Sequence, residues 1–192
     1  PVVLKRFSEV WKAKEQIDFA FPLYHQIQDK LNVVFDYELP ILRKLFSIEE
    51  QNNWFQAADK PNLAPFLDSK LVKQNYESIN SPFHYGKVNH TGYLNISILI
   101  EAYSNYLKAI NSFSSEGFEY DKIEFLEHGI QYKNIKAKHI IFAEGYGLHA
   151  NPYFNDLPLD RTKGELLIIK APDLKLDLVI KSSVFILPLG NN

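Results

Sequence analysis

The chain has 192 residues, 46% of them hydrophobic and 23% charged, with a formal net charge of −2, which is ordinary for a globular protein with one sizeable core, or a core and a lobe. That charge gives no electrostatic case for nucleic acid or an anionic membrane, and no apolar run approaches the ~18 residues of a membrane helix. Cysteine is absent, which excludes disulfides, thiolate catalysis and zinc ribbons; no signal peptide is visible, and a cytoplasmic enzyme is the expectation.

Methionine is also absent and the chain opens at Pro1, so an internal piece of a longer protein is expected. Residues 1–7 read as an extended entry segment. From Ser8 to Asn32, Val10, Ile17, Phe21, Tyr24, Ile27 and Leu31 recur at spacings that fit one helix face, with Pro22 expected to kink or restart it. The stretch 33–46 reads as two short strands or one bent edge strand around Pro40. Ser47 and Glu50 form a capping box opening a short helix through Trp54 and Ala58. Residues 60–82 are expected to be turn-rich, and 84–95 to form a strand and turn.

Asn95 to Ile110 predicts a helix with Ile96, Leu99, Ile100, Tyr103, Leu107 and Ile110 on one face. Three strand-like runs follow: 118–125, 129–134 and 137–143. The first two are joined by a hairpin turn at Leu126–Gly129. The runs 164–171, 176–180 and 183–189 read as three more strands. Helices come early and strands late, without βαβ alternation, which predicts α+β: a mixed or antiparallel sheet with flanking helices. Residues 1–92 are read as the helix-rich part of one domain, 93–164 as a remnant of a second, and 165–192 as strands returning to the first.

Gly145-Tyr-Gly147-Leu-His-Ala150 fits G-x-G-x-x-A on paper. Asn151-Pro152 follows at once, and no strand ending in an acid lies ~20 residues on, as a dinucleotide fingerprint requires. It reads instead as a glycine turn, whose bare backbone still permits close approach of a ligand. No histidine pair has the i, i+4 spacing of a zinc site, and His149 alone adjoins the glycine turn. Arg161, Lys163 and Gly164 place two cations and a glycine at the entry to an apolar run, either as a solvated loop or as a cationic edge for an anionic cofactor. The aromatic share of 14% reads as core first and as a substrate cage second.

Several segments in order resemble the D-amino-acid oxidase and glycine oxidase superfamily of FAD-dependent oxidoreductases. They are residues 92–108 (GYLNISILIEAYSNYLK), 117–123, 137–147 (AKHIIFAEGYG), 161–169 (RTKGELLII) and 183–190 (SVFILPLG). PVVLKRFSEVWKA at 1–13 and SIEEQNNW at 47–54 are similar to family segments as well. The resemblance implies an FAD-binding domain plus a substrate-side domain, and oxidation of a C–N bond of a small amine or amino acid. It implies FAD contacts from the backbones of Phe118, Ala143 and Gly145, with Tyr146 and Gly164 nearby. It also implies that the glycine-rich FAD loop and the final flavin contacts lie outside these residues, so that this piece alone is inactive and carries no flavin.

The sequence departs from the family pattern in places. Lys163 replaces an arginine and Glu165 a glutamine. Phe185 stands near a family tyrosine and lacks its hydroxyl donor for a substrate carboxylate. No catalytic residue is carried over. The alternative is a non-catalytic α+β ligand-binding or interaction module, and a third reading is a flavin-dependent aromatic-ring monooxygenase.

Overall fold

The computed structural model describes residues 1–76, 78–160 and 162–189. Their elements are β1 (Val2–Val3), β2 (Ser8–Glu9), α1 (Ala13–Leu31), β3 (Asp36–Glu38), β4 (Ile41–Lys44), α2 (Ile48–Ala58), β5 (Leu67–Val72), β6 (Tyr85–Val88), β7 (Gly92–Leu94) and α3 (Ile96–Ala109). After these come β8 (Ile123–Leu126), β9 (Gly129–Tyr132), β10 (Ile135–Ala137), β11 (Val179–Lys181) and β12 (Phe185–Ile186). The fold is α+β, as expected. The chain forms two compact units, one of Pro1–Phe113 with the segment from Lys170 onward, the other of Ser114–Ile169. The sequence pattern predicts divisions after residues 92 and 164.

The first unit is organised by a five-stranded sheet of order β12-β11-β4-β6-β5. β11 runs parallel to β4, and the other neighbours are antiparallel. Helix α2 supplies the centre of its core. Trp54 is fully buried. Its indole N–H donates to the Asp68 carbonyl at 2.9 Å, which satisfies the polar end of a large apolar ring. Phe7 meets it edge-on at 5.4 Å. Gly86 of β6 lies flat against the indole, so that a Cβ there would sit 2.3 Å from Trp54 Cε2. Half of the expected capping box forms: Ser47 Oγ accepts from Glu50 N–H at 3.1 Å, while the Glu50 carboxylate reaches one residue past the N-cap and accepts from Phe46 N–H at 2.9 Å.

Three local expectations change in this unit. The helix read from Ser8 begins at Ala13, because Ser8–Glu9 pair with Val2–Val3 as a hairpin and Lys12 takes a left-handed backbone (φ 50°). Helix α1 then runs through Pro22 as one element. The turn-rich stretch 60–82 holds β5, whose pairing with β6 shifts register between Leu67 and Leu71. That bulge leaves Ser69 and Lys70 facing solvent and breaks the alternation that marks a strand.

Helix α3 is capped by Asn95 Oδ1, which accepts from Ile98 N–H at 3.2 Å. It leaves Ile96, Ile100 and Tyr103 exposed. Among the described residues, no helix is long and apolar enough to cross a membrane.

The second unit is built on a meander of order β10-β9-β8. Leu126 pairs with Gly129 across a two-residue turn, so the expected hairpin forms. Gly129 has φ 146°, and a Cβ on it would strike the Ala137 carbonyl at 2.4 Å. Two other expected strands do not form. Residues 138–144 and 162–171 carry no ladder. The chain bends at Lys138, and Phe142 turns into a ring cluster with Phe118, Tyr153 and Phe154 at 5.8–6.2 Å. Ile141 and the run Leu166–Ile169 are left exposed, Leu166 at 99%. The strand-forming residues are present there, but no neighbouring backbone among the described residues completes a ladder.

Candidate functional site

The glycine turn of the second unit is the candidate site. It is the six-residue 3-10 segment Gly145–Ala150, and Glu144 immediately before it is held from two sides. Tyr120 Oη donates to one oxygen of its carboxylate. Asn151 Nδ2 donates to the other at 2.7 Å. Asn151 is fully buried, and its own side-chain oxygen accepts from Tyr153 N–H at 2.9 Å. The turn is thus fixed at both ends by one polar network. Because the carboxylate accepts the Tyr120 hydroxyl, it holds that phenol above the usual tyrosine range, and desolvation adds to the shift.

Gly145 adopts φ 54°, a left-handed conformation that favours glycine. Among the described residues, no atom beyond its chain neighbours lies within 4 Å of where its Cβ would be, so its backbone is bare. Gly145, Tyr146, Leu148, His149, Leu159 and Asp160 are among the residues lining a cleft of about 320 Å³. His149 Nε2 lies 3.1 Å from the Leu159 carbonyl. That geometry fits the tautomer with the proton on Nε2, where it ties the turn to the opposite wall and leaves Nδ1 available.

Beside the cleft-lining turn, the same unit holds an aromatic layer. Phe118 stacks on Tyr132 with centroids 4.4 Å apart. Tyr132 is buried, and its hydroxyl accepts from Glu119 N–H at 3.1 Å. Lys133, next in sequence, pairs with Glu119 at 2.8 Å and Glu116 at 2.9 Å. Those two carboxylates, Glu119 first, push its pKa further up, and Lys133 in turn lowers that of Glu116.

All five residues expected at a cofactor lie in this unit, and the structure brings two of them, Gly145 and Tyr146, into the cleft. Phe118 belongs to the aromatic layer, just before the 3-10 turn Tyr120–Lys122, and is not on a strand. Ala143 is exposed in the unladdered segment beside Phe142. Gly164 is exposed with open space at its Cβ position and is not among the cleft-lining residues. Lys163, read as one half of a cationic edge, pairs with Glu165 at 2.8 Å. Arg161, the other half, lies outside the described residues.

Sequence reasoning missed Tyr120, Glu144 and Asn151, the residues that set the turn. Asn151 carried a usable signal, since asparagine before Pro152 marks the end of a turn. Its tie to Glu144 depends on the fold. No protein-family model matches the chain, and no solved structure matches it significantly.

Proposed function

We propose that the chain works in a cytoplasmic FAD-dependent oxidoreductase that oxidises a C–N bond of a small amine or amino acid. The ordered segments similar to the D-amino-acid oxidase and glycine oxidase superfamily motivate this reading. The observation that supports it best is the glycine turn, where a bare left-handed glycine and an aromatic residue share one cleft.

The cleft also limits the reading. Its volume of about 320 Å³ is at the lower end for a drug-sized ligand, so these residues fit one end of a dinucleotide and not the whole. In that role the Gly145 backbone would approach the cofactor, the Tyr146 ring would cover it, and the Glu144–Asn151 network would keep the turn from moving. Flavin, when bound, supplies the hydride acceptor, while the protein supplies position and electrostatics.

A second reading, a non-catalytic binding or interaction module, is favoured by a separate observation. Leu166, Leu167, Ile168 and Ile169 are all more than half exposed in consecutive positions. Apolar side chains on both faces of a strand-forming run suit a strand covered from both sides by other polypeptide.

Amide hydrogen exchange on the protein made from the complete gene, with and without added FAD, separates the two. The flavin reading expects slower exchange at Gly145–Ala150. Protection confined to 164–171, and unchanged by FAD, would favour the interaction module.

A further inference from the structure

We infer that the first unit carries a separate binding site for a small multivalent oxyanion, a phosphate or a short dicarboxylate, in the cavity between the Leu4–Phe7 loop and helix α2. This goes beyond the flavin reading and does not depend on it.

The cavity holds about 270 Å³ and is lined by Lys5 and Arg6 from the loop and by Glu50, Asn53, Gln56 and Lys60 from α2 and its C-terminal end, among others. Three of these are cations. Among the described residues, none of Lys5, Arg6 and Lys60 makes a side-chain ion pair or hydrogen bond. The one carboxylate in the lining is already engaged. Glu50 Oε1 accepts from Arg43 Nη2 at 3.1 Å, and Oε2 accepts from Phe46 N–H at 2.9 Å. Arg43 cancels the charge of Glu50, so the cavity keeps the charge of three unpaired cations. That sign selects an anion and disfavours a metal ion. Asn53 and Gln56 add neutral amide donors one turn apart on the same helix face.

The loop that presents Lys5 and Arg6 is built and held. Phe7 is a non-glycine residue at φ 48°, a conformation that costs energy and persists only where surroundings impose it. Here its ring is buried against Trp54. Arg43 Nε donates to the Leu4 carbonyl at 3.3 Å, and Arg6 N–H donates to the Val3 carbonyl at 3.0 Å. Anchored on both sides, the loop keeps two adjacent cations at the cavity rim. Cations this exposed are screened by salt, so the ligand must carry more than one negative charge or several acceptor oxygens to be held.

The test is calorimetric titration of the intact protein with inorganic phosphate, and separately with succinate, at constant ionic strength in chloride. Saturable binding of either, with a Kd of about 1 mM or tighter, is the expected result, and the better ligand names the class. Arg6→Gln and Lys60→Gln are each expected to weaken binding about tenfold, while Lys87→Gln, on β6 away from the cavity, leaves it unchanged. Circular dichroism and the melting temperature check that each variant is folded. No saturation by either anion below about 10 mM, or equal binding by the folded Arg6→Gln and Lys60→Gln proteins, would overturn the proposal.

Discussion

The two units solve the problem of burial in different ways. In the first, β4, β6 and β11 bring Leu42, Tyr85, Val88, Val179 and Ile180 inside, and α2 drives Trp54 into the same layer. In the second, the buried residues among those described are Tyr132 and Asn151. Its order comes from stacked rings and from a hydrogen-bonded carboxylate, with apolar chain left in solvent at Ile141 and Leu166–Ile169. A unit with so little interior has stability that depends on a few polar contacts. Such a region is also where ligand-holding turns are expected, because their backbone must stay open.

Substitutions should separate the two modes, and the largest effect falls in the first unit. Trp54→Ala removes a fully buried ring and the partner of the Asp68 carbonyl, and should cost about 3–5 kcal/mol in denaturant unfolding. Gly86→Ala places a methyl inside the indole and should cost about 1–3 kcal/mol by overpacking. If either change loosened only the second unit, as read by local amide exchange, the comparison would fail.

Asn151→Ala is the matching test of the second unit. It leaves the part-buried Tyr153 N–H without its acceptor and frees one side of Glu144. A loss of about 1–3 kcal/mol in local protection of Gly145–Ala150 is expected, with Trp54 fluorescence unchanged.

A smaller effect sharpens the comparison by its sign. The Tyr85 and Tyr76 hydroxyls are buried without a hydrogen-bond partner among the described residues. Burial first, and then Asp177 and Tyr85, raise the Tyr76 pKa. Tyr85→Phe removes a desolvated hydroxyl and should be neutral or stabilising by up to about 1 kcal/mol.

The pH dependence of the second unit follows from Tyr120. Its folded pKa lies above the unfolded value, so the protonated donor stabilises the turn below the ordinary tyrosine pKa. That stability declines as pH rises through the folded value. Exchange at Gly145–Ala150, corrected for its intrinsic pH dependence, should therefore quicken in that alkaline window, and Tyr120→Phe should abolish the change.

Local patterns in the sequence carried much of the fold. The Ser47 N-cap of α2, helix α3 and the Leu126–Gly129 hairpin are set by residues within a few positions of one another, and each was legible. The start of α1 was not. Ser8–Glu9 fit a helical period, and only the distant pairing with Val2–Val3 makes them a strand. The strand at 67–72 was hidden by its bulge. The runs 139–143 and 164–171 failed for the opposite reason: their residues suit strands, yet a strand exists only with a partner, and none among the described residues pairs with them. At the candidate site, Gly145, Tyr146 and His149 were legible because they share one turn. Tyr120 lies 24 residues from the Glu144 it fixes, and no spacing rule joins them.

The most direct test of the functional account is the visible absorption spectrum of the protein purified from its complete gene, recorded before and after desalting. The account predicts a flavin spectrum at one FAD per chain, retained on desalting and lost in a folded Gly145→Val variant, whose side chain is strained at φ 54°. A colourless protein that takes up no added FAD, or a Gly145→Val variant that keeps its flavin in full, would contradict it.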